Sequence, residues 1–259
     1  MALLEVTNIK KIYSTRFGGN KVQALSNVTF SVEEGEFVAI MGESGSGKTT
    51  LLNILASLDR PTSGEVLLEG KNIVHLTEKE ISAFRRKNLG FVFQDFNLLD
   101  TFSLKDNIFL PLVLEGKRYR EMKQKADPIA RKLGISNLLE KYPYEVSGGQ
   151  KQRLSIARAI AKHPKIYLFD DSFSALDYKT DLTLRKELSK QTADATVIIV
   201  AQRISTILHA DNILVLDEGK IVGSGTHEEL LASCETYQEI AKSQLSEAEL
   251  AGVEKGGRA

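Results

Sequence analysis

The hydrophobic positions fall in short clusters separated by polar, helix-like stretches. Leu3 to Val6, Val28 to Val32, Phe37 to Met41 and Glu65 to Leu68 read as strands, as do Leu89 to Phe93, Ile166 to Asp170, Thr196 to Ala201 and Asn212 to Leu216. Two runs, Ile166-Tyr167-Leu168-Phe169 and Val197-Ile198-Ile199-Val200, are apolar on both faces, as strands of a parallel sheet covered on both sides are. The early strands predict a small antiparallel subdomain beside that core. Asp217-Glu218-Gly219-Lys220, between two strand-like runs, predicts a hairpin turn. From about Leu99 to Leu139 the strand signal fades and helical stretches take over. Lys117 to Lys132 is densely charged and reads as a solvated helical face, with Pro128 either interrupting it or opening a new helix at its first turn.

Composition narrows the class. The chain has 259 residues, 42% of them hydrophobic and 26% charged, which fits one large domain, or a core domain with a small insertion, with a substantial core. Thirty-four basic residues balance 34 acidic ones, so no overall field steers the protein onto nucleic acid, and no nucleic-acid partner is expected. The single cysteine, Cys234, excludes an internal disulfide and any multi-cysteine metal site. No apolar run approaches the roughly 20 residues of a membrane span. The start Met1-Ala2-Leu3-Leu4-Glu5-Val6 lacks the features of a signal peptide. A cytoplasmic protein is expected, with residues 247–259 as a flexible tail.

The strongest chemical signal follows the strand Phe37 to Met41. Gly42-Glu43-Ser44-Gly45-Ser46-Gly47-Lys48-Thr49-Thr50 leads into the apolar helix of Leu51, Leu52, Ile54 and Leu55, which sets G-x-x-x-x-G-K-T in strand–loop–helix context. Glycines let successive amides point inward around phosphate oxygens, and the helix start adds its positive dipole end. Lys48 then neutralises the β- and γ-phosphates, and the Thr49 hydroxyl reaches Mg²⁺. Asp170 ends an apolar strand where ligands bind in open α/β sheets, a place from which it holds Mg²⁺ through water. The implied fold class is α/β: a P-loop NTPase (RecA-like) core with a mostly parallel sheet, plus an antiparallel β subdomain and a helical subdomain.

A second signature, Val146-Ser147-Gly148-Gly149-Gln150, precedes a helix from about Gln150 to Lys162. Ser147 and Gln150 have capping-box spacing. An ordinary capped helix start is the plain reading; against it, two first-turn glycines weaken a helix and suit close backbone approach to an anion.

Taken together, Gly42–Thr49, Gln94 in Phe91-Val92-Phe93-Gln94-Asp95, Val146–Gln150, Ile166–Asp171 and Ser174-Ala175-Leu176-Asp177 resemble, in type and order, an ABC-transporter ATP-binding subunit. The resemblance covers about Leu3 to Leu245 and implies one cassette over residues 1–246, with a helical subdomain at about 96–160. It implies ATP and Mg²⁺ as ligands. Tyr13 would stack on adenine, unless it is simply a core or surface tyrosine. Gln94 would reach Mg²⁺ and the attacking water, and Asp177 would lie in a loop crossing a dimer interface. Two subunits, copies or relatives, would pack head to tail, each ATP lying between the Gly42–Thr50 loop of one and the Ser147–Gln150 segment of the other. Transmembrane subunits would receive the stroke, near the helical region Leu99–Leu139, placing the protein at the inner face of the cell membrane.

Two positions depart from the family pattern. The residue after Asp170 is usually a glutamate general base; here it is Asp171, one methylene or roughly 1 to 1.5 Å shorter. Gln202 stands where the family has a switch histidine; it hydrogen-bonds a γ-phosphate but carries no charge. ATP binding is expected to be intact and hydrolysis slow, the alternative being an ATP-gated dimerising module that barely turns over. Residues before about Arg158 resemble ATPases of bacitracin-type resistance, macrolide export and lipoprotein release. Residues from about Lys165 resemble ATPase domains of heterodimeric multidrug exporters, whose degenerate sites carry such an aspartate. The expectation is a chimera joined within the helix Gln150–Lys162.

Overall fold

The computed structural model describes residues 2–14, 19–171 and 195–244. The chain divides into two compact units, Met1–Leu76 with Ile198–Ala259, and Thr77–Val197. The Ser174–Asp177 loop and the tail lie outside the described residues.

The first unit holds two groups of strands. β1 (Leu4–Ser14), β2 (Lys21–Val32), β4 (Ser63–Leu68) and β5 (Lys71–Asn72) form an antiparallel sheet in the order β2-β1-β4-β5. It is the expected antiparallel subdomain, but β1 and β2 run well past the apolar clusters that mark them. Their outer halves carry polar residues, and register shifts between Val6 and Ile12 break the alternation that sequence patterning relies on. The left-handed Asn8 and Asn27, φ 52° and 54°, sit in those irregular stretches. β3 (Phe37–Met41) lies parallel to β9 (Asn212–Asp217), and β9 pairs antiparallel with β10 (Lys220–Gly225). The β9–β10 turn has positive φ at both central residues, Glu218 at 43° and Gly219 at 75°, the twist a tight hairpin needs. α1 (Lys48–Leu55) buries Leu51, Leu52, Ile54 and Leu55, each worth about 1.5–3 kcal/mol relative to exposure. α6 (His227–Ser233) and α7 (Glu235–Gln244) complete the unit.

The second unit pairs β6 (Leu89–Val92) in parallel with β7 (Ile166–Asp170), every residue of which is buried. Around them lie α2 (Glu78–Asn88), α3 (Leu104–Leu114), α4 (Tyr119–Lys132) and α5 (Gly148–Ile160). β8 (Thr196–Val200) divides between the units. The Thr196 N–H donates to the Lys165 carbonyl at 3.1 Å in the second unit, and the following Ala201 N–H donates to Ile40 at 3.2 Å in the first. Pro128 neither interrupts α4 nor opens a new helix. It lies inside it, and burial of Met122, Ala126, Ile129 and Ala130 along one face outweighs the ladder bond that proline cannot make. Lys162, just past α5, donates its ammonium to the carbonyls of Arg85 and Leu89 at the end of α2, and burial pushes its pKa down to about 8.

The loop between β3 and α1 is held from behind by backbone. An added Cβ at Gly47, φ 102°, would come within 2.5 Å of the Ala24 carbonyl, and one at Gly42 within 2.0 Å of the Leu216 carbonyl. The Gly219 N–H of the β9–β10 turn donates to Ser46 at 3.1 Å, and the Ser26 N–H donates back to Gly219 at 2.7 Å. These two glycines therefore admit β2 and β9 against the loop. Gly45, φ 85°, has nothing within 4 Å of its added Cβ.

Gly47→Ala combines a left-handed φ with a backbone clash, and should lower stability by about 1–3 kcal/mol in denaturant titration and weaken binding at the loop. Gly45→Ala, strained but unobstructed, should cost less. The His227 Nδ1 lies 2.7 Å from the Tyr237 hydroxyl, and burial holds the imidazole below its ordinary 6.5, hence neutral in the fold. The unfolded chain takes up that proton first, so this stability is complete above about pH 6.5 and is lost as pH falls through the lower folded value. Between pH 7 and pH 5 the melting temperature should fall further for the native chain than for His227→Gln.

Candidate nucleotide site

The first unit carries the glycine-rich loop, Tyr13 and Gln202; the second carries Gln94, Asp170, Asp171 and Ser147–Gln150. Ser44, Gly45 and Thr49 are exposed, whereas Ser46 is buried under the loop. Lys48 folds back over it, Nζ donating to the Gly42 carbonyl at 2.9 Å and the Glu43 carbonyl at 2.6 Å. Its ammonium is thus stationed over the loop by two backbone carbonyls. α1 begins at Gly47 with no side-chain cap and no acidic residue in its first turn. No carboxylate of its own first turn therefore offsets its positive end.

The electrostatics of the other helices sharpen this. α2, α3, α4, α6 and α7 each carry an acidic residue in the first turn: Glu78 and Glu80, Asp106, Glu121, Glu228 and Glu229, and Glu235. Among the described α-helices only α1 and α5 carry none. At α5 the capping box forms as its spacing predicts. The Ser147 N–H donates to Gln150 Oε1 at 2.9 Å, and the Gln150 N–H donates to Ser147 Oγ at 3.4 Å. Ser147 and Gly148 are exposed, and no atom lies within 4 Å of an added Cβ at Gly148. The fold itself therefore gives no reason for glycine there.

Tyr13 is 42% exposed near the end of β1, and its ring is held rather than free. The hydroxyl donates to Asp59 Oδ2 at 2.8 Å, and Lys11 pairs with Asp59 Oδ1 at 2.6 Å. Lys11 Nζ also lies 4.7 Å from the Tyr13 ring centre, so one ring face already meets a cation. Burial and then the Asp59 bond raise the tyrosine pKa; for Asp59 the Lys11 and Tyr13 bonds overcome the desolvation that would raise its pKa, and lower it. Lys11 and Asp59 were not legible as site residues, because Asp59 is 46 positions from Tyr13 in the chain.

In the second unit, Asp170 and Asp171 are buried at the end of β7, and Asp171 has a left-handed φ of 42°. Aspartate tolerates that conformation better than most residues. Gln94 is exposed just past β6. Beyond it, Phe96 and Asn97 are both left-handed, φ 63° and 44°. Arg158 of α5 donates to both their carbonyls, at 2.8 and 2.7 Å, tying the turn after Gln94 to the helix that begins at Ser147. A charged residue within Ile156-Ala157-Arg158-Ala159-Ile160 was the available signal for this contact.

Among the described residues no group of three or more His, Cys, Asp or Glu could hold a metal ion. The Thr49 hydroxyl, the Gln94 amide oxygen and the Asp170 carboxylate are hard oxygen donors. Such donors suit Mg²⁺, which completes its shell with phosphate and water.

A profile of the ABC transporter family matches residues 25–174. The ABC transporter ATP-binding protein YxdL of Bacillus subtilis is 45% identical over 221 residues, 85% of each chain. The bacitracin export ATP-binding protein BceA of Halalkalibacterium halodurans is 43% identical over 223 residues, 85% of this chain and 87% of its own. Among solved structures, the ATP-binding cassette MJ0796 in a dimeric post-hydrolysis state with ADP and Pi superposes with a TM-score of 0.81 at 35% identity, over 86% of this chain and 98% of that one. Matches of this length run through α5 and lend no support to a sequence joined there from two sources. With the phosphate loop, the second glycine signature and the P-loop NTPase fold in place, these likenesses establish that the chain belongs to the ABC transporter family as an ATP-binding cassette.

Proposed function

We infer that the chain is the ATP-binding and ATP-hydrolysing subunit of an ABC transporter, pairing head to tail with a second copy or a related subunit around two Mg-ATP. The observation that carries this reading is the pair of helix starts left without acidic residues, α1 behind the Gly42–Thr50 loop and α5 behind Ser147–Gln150. Both suit a polyphosphate. The similar cassette that is dimeric with ADP and Pi bound supports a nucleotide-bound dimer.

Each residue then has a chemical task. Gly42, Ser44, Gly45, Ser46, Gly47, Lys48, Thr49 and Thr50 surround the phosphates with amides, one ammonium and hydroxyls. Tyr13 offers adenine the ring face opposite Lys11. Thr49, Gln94 and Asp170 would hold Mg²⁺, which neutralises charge on the β- and γ-phosphate oxygens. Asp171 takes the proton of the attacking water, and Gln202 donates a hydrogen bond to the γ-phosphate. Ser147, Gly148, Gly149 and Gln150 close the site of the opposite subunit.

The cassette spans residues 1–246, with its helical subdomain at about 96–160. Leu99, Phe102, Val113, Leu114 and Tyr119 in that subdomain are exposed apolar side chains available to transmembrane subunits. No described helix is long and apolar enough to cross a membrane. Those partners would hold the protein at the inner membrane face.

Turnover is slow because the base is short and the γ-phosphate contact is uncharged. Purified protein with Mg-ATP should turn over below about 1 s⁻¹, under the usual enzyme range. Asp171→Glu together with Gln202→His should raise the rate by on the order of 10²-fold. Lys48→Ala should abolish saturable uptake of labelled ATP. Fast native turnover would overturn the slow-site reading, and unsaturable uptake by folded native protein would overturn the nucleotide site.

A further inference from the structure

Gln202 follows β8 with its side chain exposed, and its backbone is held from an unexpected direction. The side-chain amide of Gln244, the last residue of α7, bonds on both of its ends. Nε2 donates to the Gln202 carbonyl at 2.7 Å, and Oε1 accepts the Ile204 N–H at 2.9 Å. One side chain thus grips the backbone on both sides of Arg203, as a neighbouring strand would. The two anchors are firm. α7 is seated by fully buried Tyr237 and Ala241, and Ile204 is itself fully buried. The bond to the Gln202 carbonyl fixes the peptide plane immediately after Gln202, and so limits where that residue can aim.

We propose that Gln244 is a positioning residue for Gln202, so that α7 sets the angle at which Gln202 meets the γ-phosphate. This rests on the role given to Gln202 above. The mechanism is mechanical: the clamp holds the segment after β8 at a fixed depth, and a displacement of about 1 Å at a reacting phosphate is costly. Gln244 touches neither nucleotide nor reacting atoms.

The test uses the full chain with Gln244→Ala, Gln244→Glu, Gln202→Ala and the double alanine variant. Gln244 lies exposed at a helix end, so its variants should fold. Without nucleotide, amide exchange at Ile204 should accelerate about tenfold in Gln244→Ala while β9 amides stay protected. Unchanged exchange at Ile204 would overturn the clamp. With Mg-ATP, Gln244→Ala should lower kcat by about tenfold with KM within about twofold. Gln244→Glu, which accepts from Ile204 but cannot donate to the Gln202 carbonyl, should behave likewise. In the Gln202→Ala background, loss of Gln244 should change nothing further, whereas multiplying losses would overturn the proposal. Reduced turnover in Gln202→Ala beside native turnover in Gln244→Ala would sink the positioning alone. Unchanged turnover in Gln202→Ala would instead overturn the role of Gln202, and the positioning with it.

Discussion

The nucleotide loop depends on backbone meeting backbone. Gly47 lies against the Ala24 carbonyl of β2, and Gly42 against the Leu216 carbonyl of β9, at separations that no side chain would permit. Ser46 and Gly219 join the same knot through a direct hydrogen bond. A loop whose amides must face outward to an anion needs rigid support on its inner side. Here that support comes from the antiparallel sheet and the β9–β10 turn. The glycines of the motif therefore divide their work, two toward the scaffold and Gly45 toward open space.

Electrostatics complements that scaffold. Five of the seven described α-helices neutralise their own positive ends with first-turn carboxylates. The two that do not are those whose starts carry glycine signatures. An acidic residue there would compete with a triphosphate for the same dipole end, so the omission favours binding at the expense of helix stability. Lys48, resting on two loop carbonyls, keeps its charge stationed at that end.

The site residues are supported by contacts from distant parts of the chain. Asp59 and Lys11 orient Tyr13, Arg158 braces the turn beyond Gln94, and Gln244 grips the segment after Gln202. Each supporting contact bonds polar atoms brought together by folding. Such pairs leave no periodic trace, which is why the motifs mark the candidate nucleotide residues and not the side chains that hold them.

The sequence by itself determined the strand–loop–helix around Lys48, the capped helix after Ser147, the doubly buried strand ending at Asp170, and the family. All of these are local: a glycine spacing, a cap spacing or a run of apolar residues decides them within a few positions. Tertiary structure alone decided the rest. It extended β1 and β2 past their apolar clusters, because pairing with neighbours supplies what alternation lacks. It carried α4 through Pro128, because a buried face outweighs one missing bond. And it set Gln244 beside Gln202, 42 residues apart in the chain, because which side chain meets which carbonyl depends on how the intervening strands and helices pack.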